Sequence, residues 1–84
     1  MATVKLFGVF RDLAGWSEAE IGAATLGSLK AKLVADHPGL ADRLDHPTTL
    51  VIKNALMLHR SERGDDLPLE ASDEIAFGPP VSGG

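Results

Sequence analysis

The order of two hydrophobic periodicities along this chain restricts its fold more than any other feature. Residues 3–10 and 18–22 alternate apolar and polar side chains, which is typical of strands. Residues 26–36 then repeat leucines at intervals of three and four, which indicates an amphipathic helix. Three further strand-like segments follow: 49–53, 56–58 and 74–77. A hairpin, a helix and more strands therefore succeed one another within 84 residues, a length that suits one domain.

The predicted helix has clear limits and one apolar face. Thr25 is a suitable N-cap, and Pro38 ends the helix near Asp36 because proline disfavours helical geometry in the residue before it. Lys30 and Lys32 lie away from the leucine repeat, so we expect both to face water. The apolar stripe comprises Leu26, Leu29 and Leu33.

This order of elements predicts an α+β fold. One main helix packed across a mixed sheet of four or five strands buries all the apolar faces. First and last strands that pair side by side in parallel would complete a β-grasp, the ubiquitin-like fold. We expect the opening strand to run over residues 3–10, with Gly8 and Phe10 on the same inward face as Val4 and Leu6. The β-grasp domain is predicted to cover residues 1–78, and a flexible extended tail residues 79–84.

Composition excludes several classes of function. The chain has no cysteine, so it has no thiolate ligand, disulfide or cysteine nucleophile of its own. Its three histidines lack the spacing of metal ligands, so no metal site is predicted. A net charge of −4 disfavours nucleic acid as a partner. The apolar runs are too short to cross a membrane and no secretion leader is recognisable, so a cytoplasmic location is expected.

The last seven residues, Gly78-Pro-Pro-Val-Ser-Gly-Gly84, differ in character from the rest. Pro79 and Pro80 cannot donate hydrogen bonds to a sheet, and paired prolines favour an extended backbone. Val81 and Ser82 can make strand-like contacts with a partner.

The paired glycines at the end of the sequence suit a carboxylate that threads a narrow channel. Gly83 and Gly84 carry no Cβ and permit both signs of φ. A terminal Gly-Gly by itself is more often a frayed end. The functional interpretation gains weight here because the two glycines follow a stiff Pro-Pro segment on a small domain without another reactive group.

These segments resemble one protein family along nearly the whole chain. Pro79-Pro-Val-Ser-Gly-Gly84 is similar to the C-terminal signature of the MoaD-type sulfur carriers, the small subunits of molybdopterin synthase. Leu6-Phe-Gly8 with Arg11-Asp-Leu-Ala-Gly15 resembles the opening strand and following turn of that family. Asp73-Glu-Ile-Ala-Phe77 resembles its last strand.

The resemblance implies a function for Gly84 in molybdenum cofactor biosynthesis. In that family a ubiquitin-activating-type enzyme (MoeB-like) uses Mg-ATP to adenylate the terminal carboxylate, which then becomes a thiocarboxylate. A large synthase subunit (MoaE-like) accepts the tail in a heterotetramer, and sulfur passes to a pterin precursor. All catalytic side chains belong to the partners, and the chain binds no cofactor itself.

An apolar docking patch is expected beside the tail. Phe7, whose family counterpart contacts partners, is the first candidate, with core packing as the alternative. Met57 is equally consistent with a core or an interface. Phe77 is the third partner-binding candidate because it lies near both, although the alternation of the last strand predicts that Ile75 and Phe77 point inward. The family commonly has a bulky apolar residue where this chain has Gly78, so we expect a looser root of the tail.

Three other functions remain open at the level of sequence. Archaeal ubiquitin-like modifiers have the same ending, and their activated glycine would react with a lysine amine. The chain could also carry sulfur for thiamin, cysteine or tRNA thiolation, although thiamin carriers generally lack the paired prolines. The third alternative is a binding domain whose C-terminal tail has no function.

Overall fold

The structure, a computed structural model, describes residues 1–80. It contains a five-stranded sheet and three α-helices. The strands are β1 (Ala2–Leu6), β2 (Glu18–Ile21), β3 (Leu50–Lys53), β4 (Leu56–Met57) and β5 (Glu74–Gly78). The helices are α1 (Val9–Ala14), α2 (Leu26–Asp36) and α3 (Ala41–Leu44). Two 3-10 turns occupy Pro38–Leu40 and Arg60–Glu62.

The sheet has the predicted β-grasp topology. Its strand order is β2-β1-β5-β3-β4, so the first and last strands are neighbours at its centre. Strands β1 and β5 run parallel, and each other pair is antiparallel. Helix α2 packs across one face. The prediction of an α+β ubiquitin-like fold is therefore confirmed.

The hydrophobic core lies between α2 and one face of the sheet. Alternate residues of the strands point into it, as period-two patterning requires. The leucine stripe of α2 meets them, and Leu40 and Leu44 are buried beside it. The core cluster comprises Val4, Leu6, Phe10, Leu26, Leu29, Leu33, Leu40, Leu44, Val51, Leu69, Ile75 and Phe77.

The opening strand is shorter than predicted. It ends at Leu6, and α1 begins at Val9. Gly8 turns the chain with φ 58° and ψ −130°, a backbone conformation that side chains rarely permit. Phe10 is buried as expected, but from a helix and not from a strand. The alternation of apolar and polar residues therefore extends to residue 10 in the sequence, although the strand itself ends at Leu6.

Helix α2 begins as predicted, with Thr25 as the N-cap in a reciprocal capping box with Ser28. Lys32 is exposed, but the expectation that Lys30 faces water is wrong. Only 14% of the Lys30 side chain is exposed, and its ammonium lies 3.0 Å from Asp45 and 3.4 Å from Asp65. Two distant segments of the chain thus converge on one helical lysine.

The turn between β3 and β4 is tied to the start of β5. Asn54 and Ala55 both have positive φ, as a tight hairpin turn requires. The Asn54 side chain donates to the Asp73 carboxylate at 2.9 Å, and its carbonyl oxygen accepts from the backbone N–H of Glu74. The pKa of Asp73 lies below its ordinary 3.8 because Asn54, and then the backbone N–H of Glu70, stabilise the charged form. Desolvation opposes this effect, and nearby Lys53 supports it.

Candidate docking face and tail root

Two of the predicted docking residues lie on the face of the sheet that none of the described helices covers. Phe7 is 51% exposed and Met57 57% exposed, and exposed apolar side chains that share a surface can mark a binding site. Phe7 follows Leu6, which points into the core, so alternation places Phe7 on the opposite face. Met57 pairs with Ile52, which pairs with Ala76. The two candidates therefore share one surface, which we call the open face.

The strand register adds residues to the open face that sequence reasoning did not select. Ile52, Ala76 and Lys5 form a row across β3, β5 and β1, with Met57 at its β4 end. A second row joins Leu50 to Gly78. The apolar residues on both faces of β3 could have indicated such a surface in the sequence. Only the strand register, however, shows which residues of neighbouring strands lie side by side.

Charged side chains border the open face near β1 and β2. The Lys5 ammonium lies 3.3 Å from the Glu74 carboxylate and 3.9 Å from the Glu18 carboxylate. These pairs are substantially exposed, so they contribute little to stability. They do place a polar boundary beside the apolar strip, the arrangement found at the rim of protein interfaces.

Phe77, the third partner-binding candidate, is buried and offers no exposed surface for docking in this structure, and its predicted inward orientation in the last strand is confirmed. Its exposure is 0%, and its ring centroid lies 6.5 Å from that of Phe10 inside the core. Phe77 precedes the tail by one residue, but strand alternation turns it toward α2. At the next residue, Gly78, a side chain would point to the open face, and an added Cβ would lie 3.7 Å from the Cβ of Phe7.

The root of the tail, for which Gly78 leads us to expect a looser attachment, is paired within the sheet. Gly78 is buried, ends β5 and pairs with Leu50. The sheet stops before Pro79 as predicted, and Pro79 and Pro80 are both exposed. The other tail residues that were predicted to act, Val81, Ser82, Gly83 and Gly84, lie outside the described residues.

A cleft borders the tail root on the side of α1 and α3. Its volume is about 430 Å³, and both prolines form part of its wall. Its lining also includes the charged or titratable side chains of Asp42, Arg43 and His46. Pro79 thus lines this cleft and also lies close to Gly8, the residue after Phe7.

The histidines occupy separate places in the described part of the chain. His37 accepts a hydrogen bond from the Trp16 indole at 3.2 Å, and His46 bonds to Thr48. Within residues 1–80, no three His, Cys, Asp or Glu side chains are grouped so that they could hold a metal ion. Over the same residues no helix is long and apolar enough to span a membrane.

Comparison with solved structures identifies close relatives of this fold. SAMP1 from Haloferax volcanii is 29% identical with a TM-score of 0.78, over 99% of this chain and 98% of that one. A chain of the Amycolatopsis orientalis BexX/CysO complex has a TM-score of 0.84 at 23% identity, with both chains fully covered. A putative molybdopterin converting factor subunit 1 from Pyrococcus furiosus has a TM-score of 0.74 at 24% identity, over 95% and 97% of the two chains.

Sequence comparison identifies the family directly. No curated protein sequence matches the chain. The sequence profile of the ThiS family, however, matches residues 4–84, which include the whole of β5 and the tail. The chain therefore belongs to the ThiS family of ubiquitin-like sulfur carriers.

Proposed function

We propose that this protein carries sulfur as a thiocarboxylate on Gly84 and delivers it within molybdopterin synthase. The observation that carries the proposal is the position of Gly78. Strand β5 ends there, beside Phe7 at the margin of the open face, so the Pro-Pro-Val-Ser-Gly-Gly segment begins where a partner would dock. The proposal takes Gly84 as the terminal residue of the working protein, as the family resemblance implies.

The proposed chemistry needs only the terminal carboxylate from this chain. A carboxylate oxygen attacks the α-phosphorus of ATP, and pyrophosphate leaves. Hydrosulfide then attacks the acyl-adenylate carbon, so that a C–S bond forms while the bond to AMP breaks. AMP departs with the electron pair, and the sulfur loses its proton to solvent. Mg-ATP is bound by the activating enzyme, which also supplies the catalytic side chains.

The open face supplies the docking that this chemistry requires. Phe7 and Met57 offer apolar side chains of the kind enriched at interface centres, and the Lys5 ion pairs border them. The activating enzyme and the large synthase subunit would use this surface in turn. The two-fold heterotetramer that the resemblance implies needs one such contact for each carrier.

Reconstitution tests the molybdopterin assignment. Thiocarboxylated protein is mixed with the large molybdopterin synthase subunit and the pterin precursor, and dithiolene product is measured. We expect product in proportion to the thiocarboxylate supplied. Thiocarboxylate that persists unchanged, while a known small subunit gives product in the same mixture, would reject the molybdopterin role and favour another sulfur-accepting pathway.

Conjugation to proteins is the second candidate function. It is favoured by the likeness to SAMP1, a small archaeal modifier protein, at 29% identity for Haloferax volcanii and 27% for Methanosarcina acetivorans. In this role a lysine amine attacks the activated carbonyl of Gly84 and AMP leaves, so an isopeptide bond forms. Tagged protein expressed in its own cells should then give higher-mass conjugates that vanish when Gly83 and Gly84 are deleted.

A further inference from the structure

The tail root is in close contact with the turn after β1. An ideal Cβ built on Gly8 would lie 2.9 Å from Cγ and 3.0 Å from Cδ of the Pro79 ring, closer than real Cβ atoms approach other atoms. The ring of Pro79 therefore occupies the space that a side chain at position 8 would need. Among the described glycines, Gly8 is the one whose missing side chain accommodates the tail.

The parallel pairing of β1 and β5 explains why these two residues meet. Partners in this pair differ by 71 positions, from Thr3 with Glu74 (74 − 3) to Leu6 with Phe77 (77 − 6). Two steps further, the same offset places Gly8 opposite Pro79 (79 − 8). The Phe7 amide still donates to Phe77 at 3.0 Å, but proline has no N–H with which to continue the ladder. Beyond the last hydrogen bond of the β1–β5 ladder, the two segments are in contact through the Pro79 ring and Gly8.

Gly8 is itself fixed in place from both sides. Its carbonyl oxygen accepts from the Asp12 amide at 3.2 Å, and the Phe7 carbonyl accepts from Phe10 at 3.2 Å. The buried Phe10 ring anchors this first turn of α1 in the core. The surface against which Pro79 rests is therefore held by backbone hydrogen bonds and by the buried Phe10 ring.

We propose that Gly8 is a positioning residue for the tail. By leaving room for the Pro79 ring, it fixes the point and direction from which the segment toward Gly84 starts. This inference rests on the proposed function, because a tail that must enter a partner's active site has to start from a defined place. A side chain at position 8 would push Pro79 outward and so change the direction in which the tail leaves the domain.

Four chains test this proposal: wild type, Gly8→Ala, Pro79→Ala and the double variant. Gly15→Ala is the control for a positive φ without a clash, since Gly15 (φ 83°, ψ 9°) has no atom within 4 Å of an added Cβ. Gly8, with ψ −130°, has a backbone less accessible to alanine, so the double variant must separate clash from strain. Thiocarboxylate formation is measured with the activating enzyme, ATP and hydrosulfide. We expect Gly8→Ala to lower kcat by about tenfold or more, because misplacement by ~1 Å can cost up to about a hundredfold. The KM for the carrier should stay unchanged, since the open face is intact.

The double variant separates the clash from backbone strain. Pro79→Ala removes Cγ and Cδ, so it should restore much of the kcat lost in Gly8→Ala. Strain from positive φ at position 8 would not be relieved by this change. If Gly8→Ala fails to fold while the double variant folds, the clash between position 8 and the Pro79 ring is likewise established. The proposal is overturned if Gly8→Ala loses no more than Gly15→Ala, or if Pro79→Ala restores nothing.

A nuclear Overhauser measurement keeps this test independent of activity. Wild type should show contacts between the Gly8 α-protons and the Pro79 ring protons. The amide signals of residues 81–84 should shift in Gly8→Ala and not in Gly15→Ala. If wild type is never converted to thiocarboxylate, the sulfur-carrier function fails, and these signals alone decide whether Gly8 positions the tail. Their absence in wild type would reject the positioning role whatever the activity.

Discussion

The side-chain amide of Asn54 donates to the carboxylate of Asp73 at 2.9 Å and so joins the β3–β4 turn to the strand that leads into the tail. The same carboxylate accepts from the backbone N–H of Glu70 at 2.7 Å and lies 3.7 Å from the Lys53 ammonium. The β3–β4 turn, through Lys53 and Asn54, and the loop before β5, through Glu70, therefore meet at one nearly buried acid. This cluster holds the start of β5, whose other end is the tail root.

Asp73 should make stability depend on acid pH. Its pKa is lowered in the folded protein, so its contribution is present above the unfolded value near 3.8 and is lost as pH falls through the folded pKa. We expect Asp73→Asn to lower the unfolding midpoint in urea at pH 7 and to weaken the loss of stability on acidification. The fluorescence of Trp16, the single tryptophan, reports unfolding.

The exposed Asp66 provides the control for this experiment. Asp66→Asn should leave both the midpoint and its pH dependence nearly unchanged. Equal effects of the two substitutions would show that general charge, and not the Asp73 cluster, controls acid stability.

Gly27→Ala should destabilise the protein although alanine favours helices by about 1 kcal/mol over glycine. An added Cβ would lie 2.7 Å from the Asp65 Cβ and 3.0 Å from its carbonyl oxygen. The loop at Asp65 would have to move, and it accepts the Gly27 amide at 3.0 Å. We expect a net loss of about 1–3 kcal/mol in the free energy of unfolding, as for other overpacked sites.

Gly64 is the matched control for Gly27, because nothing lies within 4 Å of its would-be Cβ and its φ is not positive. Gly64→Ala should change the free energy of unfolding by less than about 0.5 kcal/mol. A more stable Gly27→Ala variant would contradict the close packing of α2 against this loop. Chemical denaturation of both variants decides the matter.

Adjacent residues of β4 provide a sharp test of the open face. Met57 pairs with Ile52 on that face, whereas Leu56 pairs with Lys53 and points the other way, although it is 71% exposed. Met57→Ala and Phe7→Ala should each weaken binding to the activating enzyme by about 1 kcal/mol or more if these side chains are interface anchors. Leu56→Ala should not, and calorimetry measures all three affinities.

Equal loss from Leu56→Ala and Met57→Ala would contradict docking through the open face. Phe77→Ala serves as the contrasting core substitution. It should cost about 3–5 kcal/mol of folding free energy, as do other buried phenylalanines. Any loss of binding in that variant would follow from unfolding.

Gly78→Ala should stabilise the protein. The added methyl group would meet the Phe7 Cβ at an ordinary 3.7 Å, and glycine within a strand costs roughly 0.5–1 kcal/mol relative to alanine. Thermal unfolding should show a higher midpoint. A lower midpoint would mean that the end of β5 requires glycine for its backbone, in contrast to the packing seen here.

Much of the fold could be predicted from local pattern, because the periodicities of the strands and of α2 record which side chains are buried. The end of β1 could not, since Phe10 continues the alternation although Gly8 has already turned the chain into a helix. Lys30 was misplaced for a different reason. Its burial depends on Asp45 and Asp65, whose approach is created only by tertiary structure.

The docking residues, too, could be predicted from the sequence only in part. The apolar character of Phe7 and Met57 was visible in the sequence, but their common surface depends on strand register. Phe77 is close to the tail along the chain, but the alternation of the last strand already predicts that it points inward, and its burial confirms this. The contact of Gly8 with Pro79 was invisible for the same reason, since it requires the parallel pairing of β1 with β5.

The intact mass of the protein after incubation with ATP, its activating enzyme and hydrosulfide tests the central claim most directly. The account predicts a mass increase equal to the exchange of one oxygen for one sulfur, absent when Gly84 is deleted and absent without ATP. An unchanged mass, with the same enzyme preparation converting an established carrier in parallel, would contradict the claim that Gly84 carries sulfur.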